Sequence, residues 1–116
     1  MVSATAKRRH PRYLLSMRLM AASITEEQPA AEHSRTLDIS ESGVGGLFHE
    51  SWEVGSRVRL EVSLPVEETP LIKVGAIVRH HTGVRYGFEF IDVSLEQRSV
   101  LQRACRALAK GVAGNR

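Results

Sequence analysis

Apolar and polar residues alternate strictly from Val58 to Leu64, with Leu60 and Val62 between Arg59, Glu61 and Ser63. A period of two is the signature of a strand with one buried face. Pro65 closes it, because proline has no N–H for a sheet ladder. The same pattern recurs on both sides. Tyr13 to Ala22 is an apolar run that reads as a first strand, and Ser34 to Ile39 reads as a second, with Leu37 and Ile39 on one face. Glu41-Ser42-Gly43 is a turn leading into a short strand from Val44 to His49, and Trp52 to Gly55 is a connection. Leu71 to Arg79 is rich in Val and Ile, His81-Thr82-Gly83 is a tight turn, and Val84 to Ile91 returns with Tyr86, Phe88 and Phe90 on one face. The polar stretch Thr25 to Glu32 contains Pro29 and reads as a loop.

Near the C-terminus the period changes. Leu101, Ala104, Cys105, Leu108 and Val112 form a stripe at helical spacing. Ser94 is an N-cap, Gln97 completes a capping box, and Gly111 is a C-terminal stop. Six strands followed by one helix predict a mainly β fold: a small six-stranded antiparallel β-barrel with a C-terminal α-helix packed against it. A barrel is preferred to a sandwich because closure removes exposed edges.

The chain has 116 residues, 42% of them hydrophobic and 25% charged, the profile of one globular domain. No apolar run reaches the ~20 residues of a membrane helix, and no secretory signal is expected. The single cysteine, Cys105, excludes an intramolecular disulfide, and a cytoplasmic location is expected. The net charge of +3 is unevenly spread. Lys7, Arg8, Arg9, Arg12 and Arg18 precede every acidic residue. The expected organisation is a basic arm over residues 1–12, a barrel with its helix over 13–110, and a tail over 111–116. The arm is either a solvated tail or a surface for an anionic partner.

Enzyme chemistry finds no support. His10, His33, His49, His80 and His81 make no spaced metal set with Cys105 or a carboxylate pair. His80 and His81 are adjacent on a strand and face opposite sides. Cys105 lies on the apolar helix stripe, where nothing lowers its pKa. Gly43, Gly45 and Gly46 precede a strand and not a helix, so they build no phosphate-cradling helix terminus.

Two features remain. Arg8 and Arg12 have an Arg-x-x-x-Arg spacing, and arginine's planar fork suits phosphate oxygens or the O6 and N7 of guanine. Pro11 stiffens the arm beside Arg12. In Asp38-Ile39-Ser40-Glu41-Ser42-Gly43, Asp38 is an acceptor suited to the N–H donors of guanine. Ser40 shares its face if the strand continues, and Gly43 permits positive φ and a close backbone approach. The alternative is an ordinary Asx or Ser turn.

Together these features resemble the PilZ family, whose signature is Arg-x-x-x-Arg in an N-terminal arm followed by Asp/Asn-x-Ser-x-x-Gly on the barrel. The likeness extends to Thr36-Leu37-Asp38-Ile39-Ser40, Gly55-Ser56-Arg57-Val58-Arg59-Leu60 and Tyr86-Gly87-Phe88-Glu89-Phe90-Ile91-Asp92, and covers the chain from about Arg8 onward. The resemblance implies a cyclic di-GMP receptor with no further cofactor and no metal. Arg8 and Arg12 would hold phosphate and guanine, Arg9 would assist, Asp38 and Ser40 would face a guanine edge, and Gly43 would shape the turn. Lys7, a cation before the motif, implies an influence on whether one ligand or an intercalated pair binds. Ligand would order the arm and so signal to a downstream protein partner of unknown identity. Two other classes compete: a PilZ-fold interaction adaptor that binds no nucleotide, and a small barrel gripping nucleic acid through its basic arm. The first usually lacks the arginine motif that this chain carries. The second needs exposed aromatic residues for base stacking, and most here sit at core-like positions.

Overall fold

The computed structural model describes residues 10–24, 31–66 and 71–111. Its elements, in chain order, are β1 (Tyr13–Leu14), β2 (Arg18–Ser23), β3 (Glu32–Ile39), β4 (Gly43–Leu47), β5 (Arg57–Ser63), β6 (Leu71–Thr82), β7 (Arg85–Ile91) and α1 (Leu95–Ala109). Six strands run in the order β3-β2-β5-β6-β7-β4, and β4 pairs back onto β3. Every pairing is antiparallel, so the sheet closes into the expected barrel.

The first apolar run is not one continuous strand. It breaks at Leu15-Ser16-Met17, leaving β1 to pair with the end of β3 and β2 with its beginning. Thr36 holds the break. Its buried hydroxyl donates to Leu15 O (2.8 Å) and accepts from Met17 N (2.9 Å), while its own N–H donates to Met17 O (2.8 Å). These backbone groups would otherwise be buried unpaired, which costs more than the bonds themselves gain. Other boundaries move, and β4 ends at Leu47, two residues short of the expected His49. β3 begins at Glu32, and β6 runs through His81 and Thr82, so the tight turn is Gly83-Val84, with Gly83 at φ +60.

The alternating residues Val58, Leu60, Val62, Val74, Ala76, Val78, Tyr86 and Phe88 fill the barrel. Burying each large side chain contributes about 1.5–3 kcal/mol. Phe48, Trp52, Tyr86 and Phe88 pack mainly edge to face. The Tyr86 hydroxyl is satisfied by donating to Glu50 O and accepting from Trp52 N. Thus the aromatic residues that nucleic-acid stacking would need are mostly inside.

The helix has the cap expected of it: Gln97 N donates to Ser94 Oγ and Ser94 N to Gln97 Oε1, each at 3.1 Å. Lys110 is the C-cap and Gly111 follows at φ +70, a left-handed stop natural to glycine. Val100, Leu101, Ala104, Cys105 and Leu108 face inward. Val112 and the rest of the tail lie outside the described residues. Gln97 Nε2 donates to Lys73 O (2.6 Å) and ties the helix to β6. No helix among the described residues is long and apolar enough to cross a membrane.

Candidate ligand-binding site

Four adjacent strands place one row of residues on the barrel's outer face. Asp38 on β3 stands opposite Gly45 on β4, Gly45 opposite Gly87 on β7, and Gly87 opposite His80 on β6. The two glycines are bare for a reason. A Cβ on Gly45 would stand 2.6 Å from Asp38 Oδ1, and one on Gly87 would stand 3.2 Å from the His80 ring. The carboxylate therefore leans over Gly45 and the imidazole over Gly87. Beneath these side chains Gly45 is buried and Gly87 half-buried, and the two glycines form a floor of backbone. An open pocket of about 520 Å³ lies over this floor, lined among others by Arg12, Leu14, Asp38, His80 and Arg85. A smaller hollow of about 170 Å³ shares Arg12, His80 and Gly87, and reaches Gly43, Arg79 and Glu89.

Arg12 reaches this row from the chain just before β1. Its Nη1 donates to Asp38 Oδ1 at 3.2 Å, with both side chains roughly three-quarters buried. Register explains the meeting: Leu14 is paired with Asp38, so the residues preceding β1 are carried past the carboxylate. His10 lies 3.9 Å from Glu41 on the following turn. Arg12 and Asp38, read separately from the sequence, therefore occupy one site. Lys7, Arg8 and Arg9 lie outside the described residues.

The second half of the Asp38–Gly43 segment behaves differently. β3 stops at Ile39, so alternation does not carry Ser40 to the face of Asp38. Ser40 is buried, and its Oγ accepts from Ser42 N (3.2 Å) and approaches Ser42 Oγ and Gly43 O. Its backbone N–H donates to Gly43 O (2.9 Å), and Ser42 O accepts from Phe90 N (2.9 Å). Ser40 stitches the turn. Gly43 does not have positive φ; among the described glycines only Gly55, Gly83 and Gly111 do. Its need is space, since a Cβ there would lie 2.3 Å from the Phe88 carbonyl oxygen. The close-approach half of the expectation holds and the positive-φ half does not.

Among the described residues no group of His, Cys, Asp and Glu could hold a metal ion. Burial, with Glu41 adding to it, pushes the Cys105 thiol up to about 11, away from nucleophilic use. Sequence reasoning missed Gly45, Gly87, His80 and Arg85 as parts of this site. Gly87 carried a usable signal, because a glycine inside the otherwise bulky Tyr86-Gly87-Phe88-Glu89-Phe90 run marks a close approach.

The PilZ domain family model matches residues 6–107. A search of curated proteins finds no match. Among solved structures, the chain is similar to the PilZ domain with c-di-GMP of YcgR from Escherichia coli, with a TM-score of 0.70 and 19% identity over 90% of this chain and 93% of that one. It is similar to the Bacillus subtilis inhibitor of motility MotI/DgrA, with a TM-score of 0.73 and 19% identity over 89% of this chain and 52% of that one. The MrkH–c-di-GMP complex of K. pneumonia gives a TM-score of 0.68 and 13% identity over 90% and 53%. The chain thus spans about half the length of the last two. At these identities the likeness is one of fold.

Proposed function

The chain belongs to the PilZ domain family, and from that premise we propose that it is a cyclic di-GMP receptor that binds through the Arg12–Asp38 pocket and signals to a protein partner. The observation that carries this reading is the Arg12–Asp38 pair at the edge of a glycine-floored pocket. A carboxylate has about four lone-pair sites, so Asp38 can keep Arg12 and still accept from N1–H and N2–H of guanine. Adenine offers no such pair of donors on that edge. Arg12 brings charge to a phosphate, and Arg8 and Arg9, a few positions earlier, add to it; Lys7 tunes how many ligands stack. Ser40 and Gly43 serve the site by fixing the turn that ends β3. The structures of YcgR and MrkH are complexes with c-di-GMP, which supports assigning the same ligand here.

This reading assigns binding and no bond-breaking step. Its output is closure of residues 1–12 over the dianion, which changes the surface offered to the partner. Calorimetric titration tests the binding. Cyclic di-GMP should give saturable heat, and cyclic di-AMP and GTP should bind far more weakly. Equal heats for cyclic di-GMP and cyclic di-AMP would remove Asp38 from its assigned role. Hydrogen exchange tests the closure: added cyclic di-GMP should protect amides near Arg8 to Tyr13, and unchanged exchange at saturation would refute it.

A further inference from the structure

We infer that Arg85 is the second anion-holding residue of this pocket, so that the β6–β7 hairpin forms its wall across the floor from the Arg12–Asp38 pair. The inference rests on the reading of the pocket as a cyclic di-GMP site, and names the residue that takes the phosphate not held from the arm.

Charge pairing around the row singles Arg85 out. Arg12 is paired with Asp38, and Arg79 with Glu89. Asp38 is the only carboxylate lining the larger pocket among the described residues, and it is already engaged. Arg85 lines the same pocket, is exposed, and its side chain has no hydrogen bond or ion pair among the described residues. The pocket therefore carries an uncompensated positive charge at its β7 end. An arginine on a hairpin is most often simply solvated. This one differs because strand alternation puts it on the face of Gly87, two residues away, above the same backbone floor.

Position matches the ligand's form. Arg85 lies two strands across from Asp38, about 10 Å, and two residues along from Gly87, about 7 Å. A cyclic dinucleotide carries two phosphates on opposite sides of its ring. With a guanine at Asp38 and one phosphate at Arg12, the other phosphate is left for a cation displaced across the floor. Arg85 presents a two-pronged donor there, and Thr82, its direct partner on β6, adds a hydroxyl that also lines the pocket.

The test is calorimetric titration of cyclic di-GMP into the parent and three variants. Arg85→Ala should weaken binding by about tenfold or more, the loss expected for a charge-assisted bond. Arg85→Lys should fall between, keeping the charge and losing the fork. Arg59→Ala removes the same charge from an exposed β5 position that does not line the pocket, and should bind within about twofold of the parent, since distant exposed charges are screened. All should melt like the parent, because Arg85 makes no packing contact of consequence in the core. Binding by Arg85→Ala within about twofold of a parent that binds would overturn this inference and leave the receptor reading standing. Equal weakening by Arg59→Ala would also overturn it, by reducing the effect to net charge. A parent that shows no heat overturns the receptor reading itself, and this inference with it.

Discussion

Gly43 and Gly45 are two residues apart on β4, yet replacing each with alanine should damage different properties. A Cβ on Gly43 would stand 2.3 Å from Phe88 O and 3.3 Å from Phe88 C. Both atoms are backbone of β7, held in register by the β4–β7 ladder. Nothing flexible can give way, so the two strands must part locally. Overpacking of this kind costs about 1–3 kcal/mol. In a domain of this length that is a melting fall on the order of 10 °C. A Cβ on Gly45 meets Asp38 Oδ1 at 2.6 Å, whereas the nearest backbone atom, Tyr86 O, is at an ordinary 3.6 Å. The carboxylate swings away and the strands stay paired. Alanine also restricts the unfolded chain, which offsets about 0.5–1 kcal/mol of any strain. Gly45→Ala should therefore melt within a few degrees of the parent. Its binding should suffer, because Asp38 leaves its place over the floor and the 3.2 Å contact with Arg12 is lost. Affinity for cyclic di-GMP should fall about tenfold or more. Circular-dichroism melts and calorimetry on the same preparations separate the two effects. Gly45→Ala binding like the parent, or Gly43→Ala melting like it, would refute the reasoning.

Arg12→Ala should reduce cyclic di-GMP affinity by about tenfold or more while melting near the parent, since a partly exposed ion pair contributes only about 0–1 kcal/mol to folding; a collapsed melt would make Arg12 structural. Thr36→Val preserves shape but strips the clasp from Leu15 O and Met17 N, and should cost about 1–3 kcal/mol in denaturant unfolding; an unchanged midpoint would mean that water replaces the hydroxyl. Glu32 gives a pH signature. Burial alone would raise its pKa, but the N–H groups of His49 and Glu50, with the His49 ring, hold it below 4.5. A folded-state pKa below the unfolded one means stability that is complete above the unfolded value and is lost as pH falls through the folded one. Glu32→Gln should therefore melt below the parent near neutral pH, and the gap should close in acid; a gap constant with pH would rule out the carboxylate as its source.

Elements set by local pattern were legible. Val58 to Leu64 announces itself because one face is buried along its length, and α1 because capping residues and an apolar stripe lie within a few turns of each other. The break at Leu15-Ser16-Met17 was not legible. Every residue there suits a strand, and the cause is the hydroxyl of Thr36, about 20 positions away. Gly43 was recognised as special, but for a backbone angle, whereas its constraint comes from a carbonyl on β7. Arg12 and Asp38 are 26 residues apart, and no spacing rule joins them; only the family likeness paired their motifs. His80 was hidden by a shift of register in β6 between Val78 and His80, which resets the face it presents, whereas Arg85 follows the β7 alternation and lacked only the knowledge that its face lines the pocket. Such irregularities depend on the partner strand, so strict alternation cannot predict them.

The Asp38–Gly43 segment shows why a motif should be divided by where its strand ends. Up to Ile39 the residues obey the β3 ladder, and Asp38 is carried to the outer face beside Gly45. Beyond Ile39 the chain must reverse into β4 within three residues, and a reversal that tight leaves polar backbone groups inside the barrel's rim. Ser40 meets that demand with its hydroxyl and N–H, and Gly43 meets it by having no side chain where β7 passes. Asp38 has no comparable structural duty: its carboxylate bonds only Arg12 among the described residues. A carboxylate held at the rim of a pocket, with most of its lone pairs unspent, is poorly explained by stability, because a single partly exposed pair contributes only about 0–1 kcal/mol to folding. The turn residues need no ligand to account for them. For Asp38 the proposed ligand supplies the reason, and under the same proposal Arg12 and Arg85 differ from the arginines that simply face solvent.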